Sequence, residues 1–500
     1  MHICFSTHTH RLRTQHAFES RNHSRSRFWC GEGCPVFIYI GGEGPQGPPS
    51  PRLFFWALAQ KHGALMLALE HRFYGESRPT ADMSDGSLRY LTSEQALADL
   101  ARFHEMISAY KPTVPDTTSS PPLRLAASAK RSKWISFGGS YPGALATWFK
   151  AKYPALVAGT VGSSAPVFPK YDFYEYAQVV GAALAHKPIG GSNGCWAAVR
   201  AGVAELALTG AAELASCAAD DEQAKAAACP LPAALRPCSP PRSRLDKATY
   251  FGNVFGLFQG SVQYNLEGRP PYVSDVCTAI AKAGGALRPL HALAAAAALF
   301  SPNASDPKCV GSSFANDTVA PLANVTFSAP GCNLKCASDR QWIWQSCHEF
   351  GYFQTATASA QPFEPFGHTL DISTAGAAIC EAAFGFAHYS GPAANAATLA
   401  AATEYGARQV MVPNITMPNG NMDPWHALGV VNTSDAFYEA GGGKQRVGAG
   451  VSVVELDGTA HCRDMYAPAA FEKLNPPISD TPSVEWAHAK IANDVARYLA

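Results

Sequence analysis

Three residue types that together can cut an acyl bond occur in order along this chain, each where a strand-like run gives way to a turn. Ser140 stands in Trp134-Ile-Ser-Phe-Gly-Gly-Ser140-Tyr-Pro-Gly143, a strand running into glycines, then a serine, then a helical stretch. That is the context of a nucleophile elbow. The glycine before Ser140 lets the backbone turn without a Cβ clash. Pro142 replaces the last glycine of the G-x-S-x-G pattern, a tolerable departure because proline suits a first helical turn. A serine hydroxyl is a weak nucleophile without a base, and the base needs an orienting carboxylate. Asp423, in Asn419-Gly-Asn-Met-Asp423-Pro-Trp-His426, and His461, in Asp457-Gly-Thr-Ala-His461-Cys462, complete the order Ser, Asp, His. Singly, each has a bland reading: a Gly-Gly-Ser turn, a turn-forming Asp-Pro, a loop histidine. Their joint order after successive strands favours a triad, with Ser140 as nucleophile, Asp423 as orienting carboxylate and His461 as general base. His426 is the rival base and ranks below His461, because it falls within the helix that Asp423-Pro424 should start.

Such a triad also needs main-chain N–H groups aimed at the developing oxyanion. The expected donors are Tyr141, the residue after the nucleophile, and Gly42, in the glycine-rich loop Gly41-Gly42-Glu43-Gly44-Pro45 after the first strand. The helix that follows Ser140 adds a favourable dipole.

The elements that must carry these groups alternate between strand and helix. Pro35–Ile40, Ala64–Leu69, Lys133–Phe137 and Ala158–Ser163 read as buried strands, and Leu53–His62, Thr92–Tyr110 and Ala144–Lys152 as helices. Lys111–Pro122 reads as a mobile loop. Ile415–Pro418 and Val451–Leu456 resume the strands, and Val484–Leu499 is the last helix. The alternation implies an α/β fold built on a mostly parallel sheet with helices on both faces. Between Tyr171 and Tyr405 the chain is alanine-rich, cysteine-bearing and helical in pattern, as an inserted helical domain would be. The expected organisation is a poorly defined segment over 1–29, core over 30–170, insert over 171–404 and core again over 405–500.

Composition sets bounds on partners and compartment. The 500 residues are 47% hydrophobic and 16% charged, which excludes a disordered solvating chain. Lys and Arg number 39 against 39 Asp and Glu, so no cationic surplus exists for nucleic acid. The basic patch Arg21–Arg27 reads as a solvated tail. Fourteen dispersed cysteines suit disulfides in an oxidising compartment. Cys332-x3-Cys336 followed by Cys347-His348 resembles zinc spacing only loosely, and neither metal nor cofactor is expected. Asn22, Asn303, Asn316, Asn324, Asn414 and Asn432 stand in glycosylation sequons, three of them within Asn303–Thr326. Met1–His16 lacks the apolar core of a secretory signal, from which an incomplete start of the chain is expected. No uncharged apolar run reaches ~18 residues, so no membrane span is expected. The most apolar stretch, Ala286–Phe300, is interrupted by Arg288, Pro289 and His291 and reads as a core or cap helix.

Five ordered stretches carry a family resemblance: Gly41-Gly-Glu-Gly-Pro45, Glu70-His-Arg-Phe-Tyr-Gly75, Gly138-Gly-Ser-Tyr-Pro-Gly143, Asn419-Gly-Asn-Met-Asp-Pro-Trp-His426 and His461-Cys462. From about Cys34 onward the chain resembles the serine peptidase family that contains lysosomal prolylcarboxypeptidase, dipeptidyl peptidase II and thymus-specific serine protease. Gly191-Ser-Asn-Gly-Cys195, Val262-Gln-Tyr264 and Arg340–Gly351 most resemble the thymus-specific branch. The resemblance implies an α/β-hydrolase core under a largely helical cap, and exopeptidase action near proline. Either a C-terminal residue after Pro or an N-terminal dipeptide ending in Pro or Ala would be removed. It further implies Ser140, Asp423 and His461 as the triad, peptide substrates containing proline, a lysosomal, vacuolar or extracellular setting and an optimum on the acid side. The segment Trp342–Phe353 is expected to line the substrate cleft. Glu43, Trp342, Glu349 and Trp425 are the candidate cleft residues; Glu349 could grip a substrate amine or form an ordinary cap salt bridge. A homodimer is the one self-association this reading admits. One departure stands out: only Arg27-Phe28-Trp29 replaces the early strand of the family, so a truncated edge strand is expected.

Two readings of other classes compete: an esterase or lipase on the same fold, and a non-catalytic secreted binding protein on a degenerate scaffold. Intact candidates for every triad role count against the second, and the cysteine-bearing insert against the first.

Overall fold

A computed structural model describes residues 22–110, 127–218, 229–267, 270–301, 309–327, 338–385, 392–437, 445–471 and 478–500. The loop expected at 111–122, the pair Cys332 and Cys336, and Asn303 lie outside them.

Seven strands form the central sheet: β1 (Asn22–Arg25), β2 (Val36–Ile40), β3 (Leu65–Leu69), β4 (Trp134–Gly139), β5 (Gly159–Ser163), β6 (Ile415–Gly420) and β7 (Val451–Leu456). Their spatial order is β1-β3-β2-β4-β5-β6-β7, all parallel except β1, which pairs antiparallel with β3. This is an α/β-hydrolase core. Asn22–Arg25, expected as solvated tail, is instead the edge strand, with Asn22 opposite Leu69 and Arg25 opposite Met66. The edge strand is therefore present, although its sequence lacks the apolar alternation that announces one.

Side chains alternate across a strand, so β2 serves both faces. Val36, Ile38 and Ile40 join Leu97 and Leu100 of α2 (Ser93–Ala109) and Leu145 of α3 (Tyr141–Lys152) in one core. Phe37 points the other way, into a cluster with Phe55 and Leu58 of α1 (Phe54–His62) and Ile491 and Val495 of the last helix, Pro482–Leu499. Thr92 caps α2 by accepting the Gln95 N–H, so the helix starts at Ser93.

Between β5 and β6 the chain builds the largely helical cap. Its helices include α4 (Glu175–Ala185), α5 (Asn193–Leu208), α6 (Arg244–Gln263), α7 (Val273–Lys282), α8 (Pro289–Ala298), α9 (Asp339–Gln345) and α10 (Pro392–Tyr405). Ser243 and Asp246 form a capping box at the start of α6. Disulfides brace this insert: Cys195–Cys277 ties α5 to α7, and Cys217–Cys229, Cys238–Cys309 and Cys347–Cys380 close further loops. Cys195–Cys277 spans 82 residues, and the entropy lost by the unfolded chain is worth about 4.5 kcal/mol. A fifth bridge, Cys30–Cys34, lies just before β2. Lys170–Asp172 pairs in parallel with Gly351–Phe353, stitching the cap to the end of the core. Among the described residues no helix is long and apolar enough to cross a membrane; within the apolar stretch 286–300, Pro289–Ala298 forms cap helix α8.

Candidate active site

Ser140 sits at the break between β4 and α3 with φ 62° and ψ −134°. A non-glycine residue there carries strain of about 1–3 kcal/mol, which surrounding contacts must hold. The Ser140 N–H donates to the Ser163 carbonyl at 2.9 Å, and the Ser140 carbonyl accepts the Ala144 N–H at 3.1 Å. A Cβ at Gly138 would stand 2.1 Å from the Pro142 carbonyl oxygen, so only glycine allows so sharp a turn. Pro142 occupies the first turn of α3, and the glycine-rich loop lies directly on it. A Cβ on Gly42 would meet its Cγ at 2.3 Å. The Tyr141 N–H, first of the helix, has no carbonyl one turn back to receive it. Thus the two expected oxyanion donors belong to segments in contact.

Asp423 follows β6, fully buried, and caps a short turn of helix at Pro424–Leu428. Its Oδ1 accepts the Trp425 N–H at 2.9 Å, and its Oδ2 faces His461 Nδ1 at 2.8 Å. His461 follows β7 and is itself buried. Burial lowers its pKa, but the Asp423 carboxylate first and then the neighbouring Cys462 side chain raise it, holding it well above the ordinary histidine value. His426 has both ring nitrogens engaged elsewhere, Nδ1 on the Asp423 carbonyl and Nε2 on Asp435 at 3.3 Å. It is thereby tied into the turn that shapes Asp423.

Ser140 and His461 line one cavity of about 370 Å³. Glu43 enters it from the glycine-rich loop, Tyr264 and Glu267 from the residues after α6, and Cys462 and Tyr466 from the histidine loop. Burial is the leading cause that pushes the Glu43 carboxyl up to about 7 and the Glu267 carboxyl up to about 8. The histidine loop is fastened on three sides. Cys462 N–H donates to Ser164 Oγ at 2.9 Å, Ser163 Oγ donates to Asp464, and Arg463 pairs with Asp480 at 2.6 Å.

Of the four expected cleft residues, only Glu43 lines this cavity. Trp425 is buried behind it, its ring edge-on to Tyr352 at 5.4 Å and its Nε1 donating to Gln263 Oε1 at 3.0 Å. Trp342 packs on the Tyr141 ring at 5.9 Å. Glu349 clamps the start of α2, accepting the Ser93 N–H at 3.0 and 3.1 Å and the Ser93 hydroxyl at 3.1 Å. It is thus a bond between cap and core, with the carboxylate at a helix N-terminus, where the dipole favours it. The cavity's cap wall comes instead from the end of α6. Gln263, Tyr264 and Glu267 carried no functional signal in their spacing; Val262-Gln-Tyr264 appeared only as a point of resemblance.

The stretch Glu70–Gly75 resolves into a set of fasteners. Buried Glu70 accepts three main-chain N–H groups, from Gln46 at 2.9 Å and from Glu76 and Ser77 at 2.8 Å. This anchors the far end of the glycine-rich loop. Arg72 pairs with Asp99 of α2 at 2.6 Å. His71 Nε2 meets the Tyr141 hydroxyl at 3.0 Å, and burial first of all lowers its pKa to about 4, keeping the ring neutral. Gln345 of α9 donates to the same hydroxyl at 3.0 Å and accepts from Tyr74 at 2.6 Å.

The sequons differ in setting. Asn316 and Asn432 are exposed and Asn324 half-buried, whereas Asn22 is buried in β1. Asn414 donates its side-chain N–H to the Ala158 carbonyl at 3.0 Å, so the nitrogen that would carry a glycan is already engaged with the core.

Residues 11–475 match the family described as Serine carboxypeptidase S28. The chain belongs to that family. Family membership makes it a serine-type peptidase. Thymus-specific serine protease of Mus musculus is 33% identical over 485 residues, covering 95% of this chain and 83% of the relative. The Homo sapiens protein of the same name is 32% identical over 492 residues, covering 97% and 83%. Lysosomal Pro-X carboxypeptidase of Homo sapiens is 36% identical over a shorter stretch of 165 residues, 31% of this chain and 29% of the relative. Among solved structures, proline iminopeptidase from Mycobacterium smegmatis is 10% identical with a TM-score of 0.35, covering 96% of this chain and 99% of that one.

Proposed function

We propose that this S28 family member hydrolyses peptide bonds near proline, close to a chain end, through Ser140, His461 and Asp423. The observation that carries the reading is the buried 2.8 Å contact between Asp423 Oδ2 and Nδ1 of His461, which lines the same cavity as Ser140. His461 Nε2 takes the Ser140 hydroxyl proton as Oγ attacks the scissile carbonyl carbon. Asp423 fixes the tautomer that leaves Nε2 free to do so and stabilises the imidazolium. The Tyr141 and Gly42 N–H groups receive the oxyanion. Collapse of the tetrahedral intermediate breaks the C–N bond, and the proton on Nε2 goes to the leaving amine. Water, deprotonated by the same nitrogen, then attacks the acyl-enzyme, and the acid product leaves with Ser140 reprotonated.

Proline-directed cleavage is supported by the family resemblance and by the relative named lysosomal Pro-X carboxypeptidase. The disulfides favour the secretory pathway, with a lysosomal, vacuolar or extracellular destination. The test is incubation of purified full-length protein with proline-containing peptides and with p-nitrophenyl esters, alongside a fluorophosphonate probe. Peptide cleavage and probe labelling that both vanish in Ser140→Ala are expected. Hydrolysis of long-chain esters with no peptide cleavage would overturn the assignment.

A further inference from the structure

We propose that Glu43 and Glu267 form a subsite for the α-ammonium group of a peptide substrate, so that Ser140 cuts near a free N-terminus. This rests on the reading of Ser140 as the nucleophile and goes beyond it by naming the end that is read.

Both carboxylates line the cavity that holds Ser140 and His461, and they reach it from different parts of the fold. Glu43 follows Gly42, beside the expected oxyanion donor. Glu267 comes from the cap, four residues past the end of α6. Among the described residues, Glu267 Oε1 is buried and has no hydrogen-bond partner. A buried carboxylate oxygen left unpaired is costly, and such a cost survives where a ligand supplies the missing donor. Burial is the leading cause that raises both carboxyls, to about 7 and about 8. An ammonium group brings a positive charge and three N–H donors and would relieve both.

A C-terminal carboxylate would need the opposite environment. No lysine or arginine lines the cavity among the described residues. Of the cations that act on Glu267 through space, His461 is paired with Asp423 at 2.8 Å and Arg463 is held to Asp480 at 2.6 Å. Glu349, the other carboxylate expected to grip an amine, already accepts from Ser93. At about 370 Å³ the cavity matches the scale of small-ligand pockets, ~300–1,000 Å³, and so takes a chain end rather than the middle of a folded protein.

The test compares one proline-containing peptide in three forms: both ends free, N-acetylated, and C-amidated. Truncating one partner of a buried charge pair costs roughly 2–5 kcal/mol, or about 30-fold and upward. N-acetylation should therefore lower kcat/KM at least about 30-fold, mainly through KM, whereas amidation should change it less than about 3-fold. The acetylation penalty should shrink to within about 3-fold in Glu267→Gln, with Glu43→Gln moving the same way. Thermal melts establish that both variants fold. A greater loss on amidation, equal losses from both caps, or an unchanged acetylation penalty in folded Glu267→Gln would overturn the proposal. Fluorophosphonate labelling of the same preparations separates the two layers. Labelled enzyme with no amine preference sinks the subsite alone, whereas folded wild type that neither labels nor cleaves sinks the nucleophile and the subsite together.

Discussion

The main-chain N–H of His461 donates to the main-chain carbonyl of Gln263 at 3.0 Å, so the histidine of the core is hung from the last residue of cap helix α6. The Gln263 side chain extends the joint: its Oε1 accepts from Trp425 Nε1 at 3.0 Å and from the Tyr176 hydroxyl at 2.6 Å. One cap residue thereby touches the histidine loop and the turn that Asp423 caps. The proposed base and its orienting carboxylate are thus both joined to the cap.

Replacing the Gln263 side chain should disturb that seating. Gln263→Leu strands two donors, the Trp425 N–H and the Tyr176 hydroxyl, at roughly 1–3 kcal/mol each. The expected result is a lower melting temperature and a fall in kcat larger than any rise in KM. Calorimetry and steady-state kinetics check it, and an unchanged kcat would show that the backbone bond alone positions His461.

Asp423→Asn keeps the volume but removes the charge that fixes the His461 tautomer. A loss of about 10⁴ in kcat is expected from a triad carboxylate. Fluorophosphonate labelling should slow in parallel. Near-wild-type turnover would show that His461 is oriented without Asp423.

Gly42→Ala places a methyl where Pro142 Cγ would be 2.3 Å away. Because the loop must then lift off α3, the Gly42 N–H should leave its proposed place as an oxyanion donor. The expected loss in kcat is about 10²–10³, the scale of one oxyanion donor. KM for a proline-containing peptide, measured alongside, should change far less.

The pH profile of turnover should follow His461, the proposed base. Its pKa is raised, chiefly by Asp423 prevailing over burial, and the base must be neutral to act. Hence kcat/KM should rise with pH through a midpoint above the ordinary ~6.5 of histidine. A stopped assay across the acid and neutral range measures this. The result expected here lies on the neutral side, against the acid optimum that the resemblance implies; a profile falling from pH 5 to 7 would favour the latter.

Stability should run the opposite way. The carboxyls of Asp464, Glu43, Glu349 and Glu267 are raised, burial first among the causes, to about 6, 7, 7 and 8. Carboxyls with a folded pKa above the unfolded one bind more protons folded than unfolded, so stability falls as pH climbs from about 4.5 toward 8. A histidine with a raised pKa has the same sign, losing its contribution as pH passes the folded value. His71, lowered to about 4, opposes this below about 6.5. Thermal melts should show a higher melting temperature near pH 5 than near pH 8, with a shallower slope in Glu267→Gln. A protein equally stable at both would contradict the buried carboxyls.

Much of this molecule is determined by neighbours in the chain. The run from Trp134 to Gly143 dictates a strand, a tight turn and a helix, because glycine permits the turn and proline the first helical residues; that sequence logic places Ser140. The same local logic sets Asp423 and His461 after strands, and their order implies the fold. Tertiary structure decided what no period or turn residue encodes. Asn22–Arg25 becomes a strand only because β3 offers it a free edge. Trp425 and Glu349, chosen for their chemistry, are drawn into cap–core contacts, whereas Tyr264 and Glu267 reach the cavity that holds Ser140 from a distant helix end. Strands and turns are set by backbone sterics between adjacent residues, whereas a cavity wall is set by long-range packing. In this chain only the folded cap brings a second carboxylate to the serine.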